Sequence, residues 1–139
     1  MKTLIFTIAT LVITGFATAQ TFTLKSTDLG GQFVYAQFAN GFGCKGENVS
    51  PELNWENAPK ETKSIAAAMY DSDAPTDRGL WQWVVYNIPP SVTSLVSDSS
   101  NFTENKLPKG ATNGLKNIGV RGYFGASPPA VDCPEVSKI

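Results

Sequence analysis

The sequence predicts a mainly β domain built as a sandwich of sheets, on three observations. Residues 64–70 (SIAAAMY) and 83–88 (WVVYNI) are continuous apolar runs of strand length. The stretches between such runs are dense in Gly, Pro, Asn and Ser, the residues that make turns. No segment carries the 3.6-residue apolar period of an amphipathic helix.

The N-terminal segment stands apart from this domain. Lys2 supplies a positive start, residues 4–16 are apolar apart from threonines and one glycine, and Ala17-Thr18-Ala19 is a small-residue cleavage site. Residues 1–19 therefore read as a secretory signal peptide cut after Ala19. The run is too short for a membrane anchor, and no later stretch is long enough to span. The expected location is periplasmic or secreted.

Cleavage leaves 120 residues, enough for one core. In order, residues 22–25 alternate like a short edge strand, and residues 32–39 (QFVYAQFA) are aromatic-rich and strand-like. Residues 41–51 form a Gly- and Asn-rich loop, and 53–55 a brief strand. Residues 64–70 are expected to be a central, buried strand. Residues 83–88 form a second, stopped by Pro89-Pro90. Residues 97–105 read as loop, and 130–139 as a tail without periodicity.

Charge narrows the function classes. Lys2 is the one charged residue of the leader, so the remaining chain has ten basic and twelve acidic side chains, a net charge of −2. Nucleic-acid binding needs many clustered Lys and Arg, and no such cluster exists. There is no histidine, so no Ser/His/Asp or Cys/His nucleophile can be assembled. No catalytic residue, metal or cofactor is expected.

Several motifs fail on their context. Gly41-x-Gly43-x-x-Gly46 has the letters of a dinucleotide fingerprint, but Asn48, Ser50 and Pro51 follow where a helix should begin. Asp71-x-Asp73 followed by Asp77 and Gly79 lacks the fifth and sixth residues of a hand-type calcium loop, which are Pro75 and Thr76 here. Cys44 and Cys133 are the two cysteines of the exported chain, and one disulfide between them is the simplest expectation. That bond requires the tail to be ordered.

Five segments in sequence carry a stronger signal. They are NVSPELNW (48–55), DSDAPT (71–76), WQWVVYNIP (81–89), LPKGATNGLKNIG (107–119) and GYFGASPP (122–129). Together they resemble the phosphatidylethanolamine-binding protein (PEBP) family, in particular its bacterial Raf-kinase-inhibitor-like branch. The resemblance covers residues 20–129 and implies an antiparallel β-sandwich with a small anion-binding pocket at one end. Asp71, Asp73 and Pro75 match the family's first pocket loop, and Gly125, Pro128 and Pro129 its second. Trp81 and Gln82 stand at the mouth of the following strand, where the family has a histidine at the position of Gln82.

Gln82 can donate a hydrogen bond to an anion but cannot carry charge. The segment bearing the family's second histidine has no counterpart after Pro129. The resemblance thus implies a fold incomplete at its C-terminus, with 130–139 a non-matching tail, open strand edges and uncovered apolar faces. Two functional expectations follow. One is a non-enzymatic protein that binds a small anionic, phospholipid-head-group-like ligand or inhibits a protein partner. The other is a truncated remnant without a competent pocket.

Overall fold

The computed structural model describes residues 20–101, 103–104, 106–129 and 132–133. The expected leader, 1–19, lies outside the described residues, as does most of the expected tail. Eight strands run through the described residues: β1 Thr23–Lys25, β2 Asn40–Gly41, β3 Cys44–Lys45, β4 Leu53–Glu56, β5 Ile65–Asp71, β6 Leu80–Ile88, β7 Ser94–Leu95 and β8 Thr112–Asn113. They pair antiparallel into two three-stranded sheets, ordered β1-β4-β7 and β5-β6-β8, with β2-β3 as a separate hairpin.

The core lies between the two larger sheets. β4 alternates, burying Leu53 and Trp55. β6 contributes Trp83, Val85 and Ile88, β7 contributes Leu95, and Tyr123 closes one side. Each buried aromatic polar group finds an acceptor. Trp55 Nε1 donates to the Val92 carbonyl at 3.0 Å, Trp83 Nε1 to Asn113 Oδ1 at 3.1 Å, and the Tyr123 hydroxyl to the Gln37 carbonyl at 2.7 Å. Trp83 and Tyr123 also meet edge to face, 6.0 Å between ring centres.

Two strand expectations are corrected. Among the described residues, 64–70 do not form a central strand: β5 sits at the edge of its sheet. Its Ile65, Ala67 and Met69 pack on the core, whereas Ala66, Ala68 and Tyr70 are exposed. An unbroken apolar run reads as buried on both faces, but alanine adds so little apolar area that the run cannot report which face is covered. Residues 32–39 form no strand ladder either. Tyr35–Gln37 is a single 3₁₀ turn, because the Gln37 side chain accepts the Val34 N–H at 3.2 Å and so competes locally with strand pairing. The backbone on either side bonds instead to a segment far along the chain, Ala39 N–H donating to the Ala126 carbonyl at 2.9 Å.

β6 is longer than expected and bulged twice. Met69 faces Trp83 and Tyr70 faces Trp81, which leaves Gln82 as an extra residue. A second irregularity falls between Val85 and Ile88, where Asn87 takes φ 56°. The first bulge lets two consecutive residues, Gln82 and Trp83, both be buried. Inside the loop expected over 41–51, Phe42 and Gly43 (φ 52° and 96°) form the two-residue turn of the β2–β3 hairpin.

Candidate ligand-binding site

β5 delivers Asp71 to the end of the sheet, and the loop after it folds back on that carboxylate. Asp71 Oδ1 accepts the Asp73 N–H at 3.0 Å, the Asx-turn geometry that aspartate favours in loops. Asp71 Oδ2 accepts from the Gln82 amide at 3.5 Å, a long bond made possible by the bulge on β6. The loop is closed at its far end by Thr76, whose hydroxyl donates to the Gly79 carbonyl at 2.7 Å. Gly79 has φ 60°, and a Cβ there would collide with the Asp71 carbonyl, so only glycine fits.

The second loop reaches the same end of β6 by backbone pairing. Phe124 N–H donates to the Gln82 carbonyl at 2.7 Å. Gly125 follows, its N–H bonded to Asn48 Oδ1 at 2.8 Å, and it lies so close to the Gln37–Ala39 backbone that a Cβ would overlap the Gln37 carbonyl. Asn48 holds this clasp from the left-handed region, φ 56°, and also donates to the Tyr123 carbonyl at 3.3 Å.

The expected site residues are thus distributed unevenly. Asp71, Asp73 and Gln82 are joined by hydrogen bonds, and the segment carrying Gly125 lies against Gln82. Trp81 is not on their face. Its half-exposed ring stacks on Tyr70, 4.7 Å between centres, and Tyr70 points to the side of β5 opposite Asp71. Pro75 is exposed in the first loop and Pro129 at the end of the second. Pro128 lies at the disulfide end, its carbonyl 3.8 Å from Cys44 Sγ and 3.7 Å from Cys133 Sγ. Cys44, buried on β3, is joined to Cys133 with 5.4 Å between their Cα atoms.

Lys116 was not among the expected residues, and it is the most unusual group here. It is only 4% exposed, and among the described residues no carboxylate pairs with it. Its ammonium sits 3.5 Å from the Gln82 carbonyl oxygen and 5.5 Å from the centre of the Phe124 ring. Burial pulls its pKa down from 10.5 to about 8. A lone lysine in the turn-rich GLKNIG stretch reads as solvated. Only the fold shows that the turn from Lys116 to Val120, closed by the Lys116 N–H to Val120 carbonyl bond at 2.9 Å, tucks the side chain under β6.

A separate polar cleft of about 350 Å³ opens on the side of Asn48, Asp98, Arg121 and Tyr123, and none of the expected site residues lines it. Arg121 is committed in part to structure, donating to the Asn113 carbonyl at 2.9 Å. Among the described residues no helix is long and apolar enough to cross a membrane.

Comparison with known proteins places this arrangement. The phosphatidylethanolamine-binding protein family model matches residues 18–134, a span that runs past Pro129. The UPF0098 protein YbcL of Escherichia coli is 43% identical over 136 residues, covering 96% of this chain and 74% of YbcL. YbhB of the same organism is 38% identical over 108 residues, covering 76% of this chain and 68% of YbhB. The crystal structure of E. coli YbcL, described as a member of the mammalian PEBP family, superposes with a TM-score of 0.73 at 44% identity, over 78% of this chain and 67% of YbcL. The CT736 homolog from Chlamydia trachomatis gives 0.56 at 29% identity, over 78% of this chain and 66% of that one. Such membership supports ligand binding rather than catalysis in general terms. With the antiparallel sandwich and the two loops meeting at Gln82 beside it, the match over most of its length makes this chain a member of the phosphatidylethanolamine-binding protein family.

Proposed function

We propose that the chain is an exported, non-enzymatic protein that binds a small phosphate-bearing ligand of the phospholipid head-group type at the Asp71–Gln82 end of the sheet. The observation that carries this reading is Lys116, a buried ammonium 3.5 Å from the Gln82 carbonyl oxygen that no carboxylate among the described residues pairs with. A phosphate seated against that corner would supply the missing counter-charge, in a setting where charge-assisted bonds are stronger than in water. Lys116 thereby supplies the cation that Gln82 lacks relative to the family's histidine.

The corner also offers negative charge. Asp71 is held by the Asp73 N–H and the Gln82 amide, while the Asp73 carboxylate is exposed in the loop. A ligand bearing both an ammonium and a phosphate fits this pairing better than a bare anion, since two unpaired aspartates repel phosphate. No residue of the corner is an activated nucleophile, so binding without turnover is the reading.

The test is a thermal melt of the cleaved protein with phosphate, phosphoethanolamine or ethanolamine. An upward shift with phosphoethanolamine that exceeds the shift with phosphate supports the reading; at a ligand concentration 100 times Kd it corresponds to about 2.7 kcal/mol. A cooperative melt that no ligand moves would overturn it. The absence of a cooperative transition would favour the remnant. Release of free phosphate during incubation would overturn the non-enzymatic part. Export is tested by the mass of the protein recovered from the periplasm or medium, which should begin at Gln20.

A further inference from the structure

We propose that the polar cleft between the 47–48, 98–101 and 121–123 segments is a second binding site, built for a neutral polyhydroxyl ligand, one hexose unit of a sugar. Its volume of about 350 Å³ falls within the range of small-molecule pockets, but its walls differ from the usual apolar ones. Glu47, Asp98, Ser100 and Arg121 line it, with Tyr123 as its aromatic residue.

The walls are fixed before any ligand arrives. The Asp98 N–H donates to the Ser50 carbonyl at 2.8 Å and the Ser100 N–H to the Ser50 hydroxyl at 3.3 Å, which pins the 98–100 turn to a fully buried residue. Asn48 is held between the Tyr123 carbonyl and the Gly125 N–H, and the Tyr123 hydroxyl donates to the Gln37 carbonyl. Arg121 is tethered through Nη1 to the Asn113 carbonyl. Walls ordered in this way spare a ligand the cost of ordering them.

The charges that remain select the ligand. No ion pair engages Glu47 among the described residues, and Arg121 spends one of its five N–H donors on Asn113. Glu47 and Asp98 together repel phosphate. The Arg121 guanidinium, and Lys106 bonded to Asp98 at 3.2 Å, repel a divalent cation. Among the described residues no three His, Cys, Asp or Glu side chains gather to hold a metal. What fits is a neutral ligand that donates and accepts at closely spaced points. Vicinal hydroxyls do both: each donates to a carboxylate while its oxygen accepts from the guanidinium, and the Ser100 hydroxyl serves either way. Such bonds match those of the water that a sugar displaces.

The experiment is an amide NMR titration of the cleaved, oxidised protein with glucose, galactose, mannose and maltose, with phosphate and calcium as controls. At least one hexose should move the amides of residues 47–48, 98–101 and 121–123. Its dissociation constant should be on the order of 1 mM, as expected for so small a polar ligand. Glu47→Gln should weaken binding about tenfold, the loss of one charge-assisted bond, and leave the ligand-free melting temperature unchanged. Arg121→Lys keeps the charge but loses the planar fork, and should weaken binding similarly. Maltose binding more tightly than glucose assigns the cleft to the end of a longer glycan; equal affinities assign it to a free sugar. The inference is overturned if no sugar moves these amides, or if the affinity is indifferent to both substitutions. Phosphate or calcium occupying the cleft in preference to the sugars would overturn it too.

Discussion

Lys116→Met should make the ligand-free protein more stable and remove most of its pH dependence above neutrality. The lysine is buried, no carboxylate among the described residues pairs with it, and burial lowers its pKa from 10.5 to about 8. That displacement corresponds to about 3 kcal/mol, the penalty for holding the ammonium in the fold. Below pH 8 both folded and unfolded chains carry the proton, so the penalty is present in full. Above it the folded chain releases its proton while the unfolded chain keeps one until about pH 10.4, and stability rises with pH.

Between pH 7 and about 9.5 the gain for the parent protein is about 2 kcal/mol. The range should end there. Burial holds the Tyr123 phenol well above its ordinary value, so at higher pH the unfolded chain loses a proton that the folded one retains, and stability falls. Methionine keeps the length and apolar stem of lysine without its charge, so the variant should melt about 10 °C higher at pH 7. It should also lose the stabilisation by phosphate. The assay is urea and thermal unfolding in a phosphate-free buffer at both ends of the range. A parent stability that is flat or falling over the range, or a methionine variant less stable at pH 7, would refute the assignment of Lys116 as an unpaired, desolvated cation.

Three further outcomes follow from the geometry. Gln82→His puts an ionisable group next to Asp71, so phosphate affinity relative to the parent at the same pH should rise as pH falls through about 6.5; calorimetric titration of both proteins at pH 5.5 and 7.5 reads the difference. Gly125→Ala drives a methyl group into the Gln37 carbonyl and should cost about 1–3 kcal/mol in urea unfolding, whereas Gly30→Ala, with open space around it, should cost far less. Reduction of Cys44–Cys133, which are 89 residues apart, should lower stability by about 2–5 kcal/mol, seen as a lower melting temperature in reductant.

Which parts of this protein could be read in advance follows from the range over which each feature is decided. Local patterns reported well: β1, β4 and the start of the 71–79 loop fall where alternation, turn residues and Asp chemistry place them. The family and its antiparallel sandwich were legible because five motifs occur in order, each tied to a local backbone shape such as the glycine at position 125. Pairing was not legible. Whether the alanine-rich 64–70 run is central or at an edge depends on which strands lie beside it, and its own residues are compatible with both.

The binding corner divides in the same way. Asp71 and Asp73 announced themselves because an Asx turn is made within three residues. Trp81 and Gln82, neighbours in sequence, were expected together, yet the bulge and the strand's alternation send them to opposite faces. Nothing in the residues around Lys116 marks it as buried. By itself, then, the sequence determined strand-forming tendency, turn chemistry and family. The tertiary structure alone decided which groups lose their water, because desolvation depends on every element packed around a side chain and not on its neighbours in the chain.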